Sequence, residues 1–567
     1  MSTIDWVVLS AAMIFIVAYG VWKGRGQKDL ESYLLASRNM RWYTIALSIM
    51  ATQASAITFL STPGQAYADG MRFVQVYLGL PIAMVIISIT AVPIFHRLKV
   101  YTAYEFLEDR FDVKTRTLAA LLFLIQRGLA AGLTIYAPSL ILSLILGWNL
   151  TYTNVAVGIM VIIYTTFGGT KAVSWTQSHQ MVVITVGMFT AFGTAIYLMP
   201  EGVGVLDATR VAGTLGRLNA IDFSFDLTNR YNFWSGLIGG LFLALSYFGT
   251  DQSQVQRYLT GSSVAQSRLG LLFNGLVKVP MQFFILFLGA MVFAFYQFAA
   301  PPIFFNPKEI SQVKQSTYAA QFESLEEDYR DAFEAKLPRV HALIEAHESG
   351  SAEEIASSRD ALFRADAEMA GIRAEAIEVL RANDPGVDTN DTNYVFLTFI
   401  VNYLPTGLVG LLIAAILFAS MSSTSSELNA LASTSIIDIY RRFINKDGSD
   451  QHYVLSSKLA TAFWGVFAIL FAQYASRLGS LIEAVNILGS LFYGTILGIF
   501  LLAFYVKRVG GTATFLGALM AEIGVVWCFV ATDISFLWYN VVGCVLAVAF
   551  AMVLQPFVGS RRTGTAT

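Results

Sequence analysis

The sequence predicts an all-α protein that crosses a membrane many times. Of its 567 residues, 55% are hydrophobic and only 13% are charged, a composition that soluble domains do not have. Apolar runs of about 20 residues, the length that a helix needs to span a bilayer, recur along the whole chain. Cys528 and Cys544 both fall in late runs, so no disulfide framework is predicted.

Thirteen apolar runs can be separated, and each predicts one transmembrane helix. They lie at 4–22, 44–62, 73–95, 117–146, 152–168, 178–199, 233–256, 269–298, 393–438, 455–475, 481–505, 511–531 and 535–556. The runs at 117–146 and 393–438 are longer than one simple span, so we expect tilt or an extended end there.

Basic residues set the predicted orientation of these helices. Lys23, Arg25 and Lys28 follow the first run, and basic residues accumulate on the cytoplasmic side of membrane helices. We therefore expect the N-terminus outside and, after thirteen spans, a cytoplasmic C-terminus with Arg561 and Arg562. A signal peptide carries its positive charges before the apolar run, so the first run is predicted to stay as a membrane helix.

Residues 303–391 interrupt the series of apolar runs. This segment has 9 Lys and Arg against 19 Asp and Glu, and it is rich in good helix formers. Leu325, Tyr329, Phe333 and Leu337 recur every four residues, which predicts one apolar helix face. We expect an acidic helical hairpin on the extracytoplasmic side, acting as a lid, a stabilising insert or a site for a protein partner.

The insert divides the chain into four predicted regions. They are 1–302 with spans 1–8 of a membrane core, the insert 303–391, 392–510 with spans 9–11 of the core, and 511–567 with two accessory spans and a short tail.

A strip of hydroxyl residues at 420–429 follows the apolar residues 410–419 without a break. Hydroxyls at membrane depth are costly unless another helix or a ligand satisfies them. Oxygen ligands without a cationic neighbour suit a small hard cation such as Na⁺. The same hydroxyls can also bond to neighbouring helices or back to their own helix. The strip therefore predicts a sodium site or a polar helix contact.

The second run is also rich in small and polar residues over 48–64, and Pro63 and Gly64 place a helix breaker near its end. A helix that unwinds part-way offers free carbonyls to a cavity or an ion. Small residues alternatively serve close helix packing. Two ionisable residues lie in later runs, Asp251 and Lys278, and such groups are functional candidates at membrane depth. Lys278 is predicted to face Asp251 or to reach the cytoplasm.

Four motifs together resemble the sodium/solute symporter family. They are Gly-Gly-Thr-Lys-Ala-Val-Ser-Trp-Thr at 168–176, Asp-Gln-Ser-Gln-Val-Gln-Arg at 251–257, Leu-Pro-Thr-Gly-Leu-Val-Gly-Leu at 404–411, and the hydroxyl strip ending in Asp-Ile-Tyr at 438–440. The resemblance covers about 1–300 and 392–510. It implies a LeuT-like fold, an inverted five-plus-five helix repeat with one helix in front and a variable number behind.

The resemblance also implies one sodium site between the first and eighth core helices. Residue by residue, its ligands are the carbonyl oxygens of Ala51, Ala54 and Ala419 and the hydroxyls of Ser422 and Ser423. The last three lie on one helix face, at spacings of three and four residues.

Some family members hold a second cation further along the same helix. Ser425 and Ser426 match its serine ligands, but Gln177 stands where the family has an aspartate. Because a neutral amide replaces an anionic ligand, we expect this site to be weak and one Na⁺ to move per cycle.

Substrate contacts carried over from the family fall on Thr58, Tyr77, Asp251, Lys278 and Asn486. Relatives usually have Asn where this chain has Asp251, and an anionic side chain there suits a hydroxyl-rich, cationic or zwitterionic solute. We therefore expect a sugar or polyol-like molecule.

The resulting prediction is a sodium-coupled symporter of the cell (inner) membrane that imports a small organic solute by alternating access. Na⁺ is its coupling ion, and no other cofactor, no nucleic-acid partner and no enzymatic activity are expected. A proton-coupled carrier that uses Asp251 and Glu427 is the first alternative, and a transporter-like sensor is the second.

Overall fold

The computed structural model describes residues 2–24, 29–475 and 480–558. Within these ranges the regular elements are helices, apart from one isolated β-bridge, so the all-α prediction is confirmed. Arg25, Lys28, Arg561 and Arg562 lie outside the described residues. The orientation that rests on them stays a prediction.

The part of the chain before the insert contains most of the helices. They are α1 (Thr3–Lys23), α2 (Leu30–Leu35), α3 (Trp42–Gln53), α4 (Ala56–Asp69), α5 (Leu80–Ile89), α6 (Ala91–Leu98), α7 (Glu105–Arg110), α8 (Val113–Leu146), α9 (Leu150–Tyr197), α10 (Val205–Thr214), α11 (Gly240–Gly249), α12 (Gln252–Leu259) and α13 (Val264–Phe295). A 3₁₀ turn over Met71–Tyr77 leads into α5, and a π-helical turn over Ser235–Gly239 leads into α11.

The insert and the second half of the membrane region follow. They consist of α14 (Pro307–Val313), α15 (Ala319–Ser349), α16 (Ala352–Asn383), α17 (Thr392–Tyr403), α18 (Leu408–Thr434), α19 (Asp450–Ala472), α20 (Leu481–Tyr505), α21 (Gly511–Ala531) and α22 (Phe536–Val558). A π-helical stretch over Ser435–Ile444 extends α18. Helix α18 is buried along nearly its whole length, so it forms the centre of the membrane domain.

The predicted break in the second run exists, but at a different residue. Helices α3 and α4 meet at an angle of 58°, because Ala54 has a non-helical ψ of 76° and Ser55 is extended. Pro63, the expected breaker, lies inside α4 and does not end it. Gly64 instead allows close packing, since a Cβ there would overlap the carbonyl oxygen of Thr392 in α17.

The number of membrane spans depends on how interrupted helices are counted. Ten helices in the described part of the chain are long and apolar enough to span a membrane, or eleven if α3 and α4 form one span. The runs 152–168 and 178–199 both fall in the 48-residue α9, which Gly169 interrupts with φ 56° and ψ −177°. The run 233–256 yields a shorter apolar helix. The count of thirteen stays a prediction.

The insert is a helical hairpin with its own apolar core. Gly350 joins α15 to α16 with a left-handed φ of 73°, and the two helices pack against each other. Leu325, Tyr329 and Phe333 of α15 are buried against Met369 and neighbouring residues of α16. The apolar face of α15 therefore packs inside the hairpin.

Candidate ion and substrate site

The predicted sodium ligands meet where α3 ends beside the middle of α18. The Ser422 hydroxyl lies 2.8 Å from the carbonyl oxygen of Ala51 and 3.2 Å from that of Ala419. The Ser423 hydroxyl lies 3.3 Å from the Ala51 oxygen and 3.0 Å from the Thr52 oxygen. All these groups are buried. Carbonyl and hydroxyl oxygens that converge from two helices are the ligands a hard cation requires, because each offers a lone pair.

Ala54, the fifth predicted ligand, lies at the break itself. Its ψ of 76° takes it out of the α3 helix, while its amide still donates to the carbonyl of Met50 at 2.7 Å. The two half-helices therefore separate next to the Ala51 carbonyl, where an unwound backbone can expose oxygens to an ion.

The hydroxyl strip forms hydrogen bonds with two neighbouring helices, α3 and α8. Ser422 and Ser423 bond to α3, whereas Ser420 donates to the carbonyl oxygen of Thr134 in α8 at 2.6 Å. Thr424 bonds to the Thr134 hydroxyl at 3.0 Å. One face of α18 thus holds the predicted ion ligands, and another face is a polar helix contact.

Gln177 occupies the predicted second cation site with its own amide nitrogen. Nε2 donates to the Ser426 hydroxyl at 2.8 Å, to the Ser422 carbonyl at 3.0 Å and to the Thr52 hydroxyl at 3.2 Å. Ser425 instead donates to the carbonyl of Ser422 in its own helix. A cation ligand must offer a lone pair, whereas this amide nitrogen donates hydrogen bonds to the surrounding oxygens. Gln177 therefore links α3, α9 and α18 by direct hydrogen bonds.

Three of the five predicted substrate residues line one cavity of about 110 Å³. Thr58, Tyr77 and Asn486 lie around it, together with the predicted sodium ligand Ser423. Lys278 is fully buried behind Tyr77, with Nζ 5.8 Å from the ring centre. Within the described residues, that ammonium has no hydrogen-bond partner.

Asp251 pairs with a residue that sequence reasoning missed. It caps the N-terminus of α12, where its Oδ1 accepts from the backbone of Ser253 at 2.8 Å. Its Oδ2 accepts from the guanidinium of Arg127 and from the Tyr493 hydroxyl. The predicted alternatives for Lys278, facing Asp251 or reaching the cytoplasm, are both wrong, because Arg127 occupies the place beside Asp251 and Lys278 is buried.

Arg127 joins Asp251 to a second carboxylate. Its Nη1 donates to Glu427 at 3.1 Å, and the other oxygen of Glu427 accepts from the Thr134 hydroxyl at 2.8 Å. Arg127, Glu427 and Tyr493 line the cavity that Thr58 and Asn486 also line. The signal for Arg127 was present in the sequence, as a charged residue in the middle of the apolar run 117–146.

A helix broken beside an oxygen cluster, next to a polar cavity at the centre of a helical membrane domain, is the arrangement of an ion-coupled secondary transporter. The profile of the sodium:solute symporter family matches residues 33–323 and 367–524. The chain therefore belongs to this family. The unmatched residues 324–366 fall within the helical hairpin.

Relatives with several substrates are similar over nearly the whole chain. The sodium/sialic acid symporter NanT of Aliivibrio fischeri is 24% identical over 98% of this chain and 93% of its own length. The sodium-coupled monocarboxylate transporter 1 of Homo sapiens is 26% identical over 94% of this chain and 74% of its own. The sodium-dependent multivitamin transporter of Oryctolagus cuniculus is 26% identical over 94% of this chain and 71% of its own length.

A solved structure has the same fold. A Na⁺-coupled sialic acid symporter, in a substrate-bound outward-open state, superposes with a TM-score of 0.75 over 98% of both chains at 23% identity. Family membership makes the chain a multi-pass membrane transporter, not an enzyme, with Na⁺ as the coupling ion.

Proposed function

We propose that this chain imports a small organic solute together with one Na⁺, which binds between α3 and α18 at Ala51, Ala54, Ala419, Ser422 and Ser423. The observation that carries the proposal is the convergence of the Ser422 and Ser423 hydroxyls on the carbonyl oxygens at the end of α3. Within the described residues these contacts involve only hydroxyl and carbonyl groups and no cationic side chain, so a monovalent cation suits the oxygens.

Ser423 supplies the physical link between the ion and the solute. It contributes to the oxygen cluster and also lines the cavity of Thr58 and Asn486. An ion that fixes α3 against α18 therefore shapes the wall of the solute cavity, and each ligand stabilises a conformation that the other prefers. Moving one Na⁺ down a potential of 100 mV contributes about 2.3 kcal/mol to uptake.

Unpaired acceptors in the cavity favour a hydroxyl-rich solute such as a sugar or polyol. Gln53 and Gln126 line the cavity, and their buried side-chain oxygens have no hydrogen-bond partner within the described residues. Hydroxyl groups of a solute can donate to them, and satisfying buried acceptors is strongly favoured. Asp251 does not support this choice, because its Oδ2 already accepts hydrogen bonds from Arg127 and Tyr493.

A proton-coupled carrier is the second candidate. The observation that favours it is the sharing of one guanidinium, Arg127, by two buried carboxylates, Asp251 and Glu427. Two carboxylates against one cation leave a surplus negative charge in a buried site, which a proton can neutralise. In that case uptake follows pH and is independent of sodium.

Sodium binding to the purified protein tests the first candidate. Equilibrium binding of radiolabelled Na⁺ is measured for the natural chain and for Ser423→Ala, with Ser420→Ala as the matched control because its hydroxyl faces α8. We expect Ser423→Ala to weaken sodium binding by about tenfold to a hundredfold, the value of one lost buried oxygen contact of about 1–3 kcal/mol. Unchanged binding in Ser423→Ala, or equal losses in both variants, contradicts the site.

A further inference from the structure

A second cavity, of about 250 Å³, lies between the helical hairpin and the membrane domain. The hairpin contributes polar and aromatic side chains from α15 and α16, including Tyr329, Lys336 and Arg373. The membrane domain contributes Tyr67 at the end of α4 and Phe293 at the end of α13. This cavity shares no lining residue with the central cavity.

Two of the cations in this second cavity already have carboxylate partners. Lys336 lies 2.6 Å from Asp366, and Arg373 donates to both oxygens of Asp391 at 2.7 Å. Burial lowers the pKa of Arg373, but Asp391 together with Tyr329 and Tyr67 raises it above its usual value, so the guanidinium stays charged. The charges of these four groups therefore cancel.

Arg217 is the cation that remains. Its guanidinium lies over the Phe293 ring, 4.6 Å from the centre, and forms no ion pair within the described residues. Its buried Nε has no acceptor there. Asp69 is close enough to act on Arg217 electrostatically, but its Oδ2 accepts from Gln65 instead. The cavity therefore has one positive charge without a direct counter-ion.

Tyr296 and Gln297 also line the cavity, and within the same ranges the Tyr296 hydroxyl and the Gln297 side-chain oxygen are buried without a hydrogen-bond partner. Their residues are only 1% and 3% exposed. Buried polar groups are normally hydrogen-bonded, and leaving them unpaired is costly. Arg217 and Tyr296 both line the cavity, and one hydrogen-bond donor from each suits a carboxylate, whereas the Gln297 oxygen is an acceptor and cannot bind one.

We propose that this second cavity binds a small organic carboxylate, held by Arg217 and Tyr296 against the aromatic rings of Tyr67 and Phe293. The hairpin residues that close it include Tyr329, Lys336 and Asp366, which lie in 324–366, the segment that the family profile does not match. The site therefore includes residues outside the part of the chain that the family profile matches. Because Tyr67 belongs to α4, a bound carboxylate contacts one half of the broken helix.

Thermal unfolding of the purified full-length protein with benzoate tests the proposal, and benzamide serves as the uncharged probe of similar shape. A ligand that binds only the folded state raises the midpoint by mass action. We expect benzoate to raise it equally in sodium and in choline buffer, and benzamide not to raise it. Arg217→Gln should weaken benzoate binding at least about tenfold, because a hydrogen-bonded charge is lost.

Three variants separate a binding role from a structural one. Arg210→Gln, which removes an arginine of α10 that is already paired with Asp207, should keep the benzoate shift. Arg217→Lys should recover part of it, and Tyr296→Phe should reduce it. A benzoate shift that Arg217→Gln leaves intact, a shift only in sodium buffer, or no shift at any benzoate concentration overturns the proposal.

Discussion

Gln177 places a hydrogen-bond donor among oxygens that come from two neighbouring helices. Its Nε2 lies within 2.8–3.2 Å of the Ser426 hydroxyl, the Ser422 carbonyl and the Thr52 hydroxyl, and its Oε1 accepts from Ser48. A cation bound here would link α3 and α18 through these oxygens. The neutral amide of Gln177 makes the same link by hydrogen bonds. This geometry supports the transport of one Na⁺ per cycle.

Replacing Gln177 with Asp should create a second sodium site. A carboxylate removes the donor, adds a negative charge and leaves the surrounding oxygens free to bind an ion. We expect radiolabelled sodium binding to rise from one ion per chain to two, with Gln177→Asn remaining at one because it keeps the amide. If Gln177→Asp binds no more sodium than the natural chain, the amide does not stand in the place of a cation.

Arg127 of α8 contacts three residues from other parts of the chain. They are Asp251 at the start of α12, Glu427 of α18 and Tyr493 of α20. Removing one partner of a buried ion pair leaves an unpaired charge, which typically costs about 3–5 kcal/mol. Arg127→Met should therefore lower the thermal unfolding midpoint strongly. Glu427→Gln removes only the surplus charge and should have a much smaller effect. Equal effects of the two variants would contradict the pairing.

The residues that the sequence identified are those whose role follows from a local pattern. Ser422 and Ser423 stand in a hydroxyl strip, and Ala51 lies in a run of small residues. Arg127 also had a local signal, as a charge inside an apolar run, but its pairing could not be predicted because its partners lie 124 and 300 residues away in the chain. Pairing over such separations is decided by tertiary packing, which a single sequence does not reveal.

At the scale of elements, the break between α3 and α4 positions the ion site. Residue types predicted a breaker at Pro63 and Gly64, because proline removes a backbone donor, whereas the family resemblance placed the free carbonyls at Ala51 and Ala54. The chain turns instead at Ala54 and Ser55, where no residue type requires it. Packing of α3 and α4 against α13 and α18 holds the bend, so local propensity alone does not locate it.

The contact of α4 with α17 should be sensitive to a single methyl group. A Cβ at Gly64 would overlap the carbonyl oxygen of Thr392, which is backbone and can move only with α17. We expect Gly64→Ala to lower the unfolding midpoint by the equivalent of about 1–3 kcal/mol, as overpacking does. Gly193→Ala is the control, since no atom lies within 4 Å of its added Cβ. A similar midpoint for both variants would mean that α4 does not pack tightly on α17.

At the scale of the whole molecule, composition and apolar runs predicted the all-α membrane class, and the family profile over 33–323 and 367–524 confirms the family. Helix interruptions limit what run length can predict, because Gly169 lies inside one 48-residue helix that covers two predicted spans. The inverted repeat has no visible periodicity in the sequence. The fold rests instead on the likeness to a solved symporter with a TM-score of 0.75.

The hairpin adds a second cavity to the molecule. Its helices bury their own apolar core, and their polar sides meet α4 and α13 around the second cavity. The described residues therefore enclose two separate cavities, one at the centre of the membrane domain and one under the hairpin, and we propose a small ligand for each. Their predicted ligands differ in charge and in sodium dependence.

Sodium-dependent ligand binding tests the central claim most directly. The purified protein is unfolded thermally with sugars, polyols, amino acids, monocarboxylates and vitamins, each in sodium and in choline buffer, and the midpoints are compared. We predict that a sugar or polyol raises the midpoint in sodium buffer only, and that Ser423→Ala abolishes this difference. A solute that raises the midpoint equally in both buffers, or only when the pH is lowered, would contradict sodium-coupled transport by this chain.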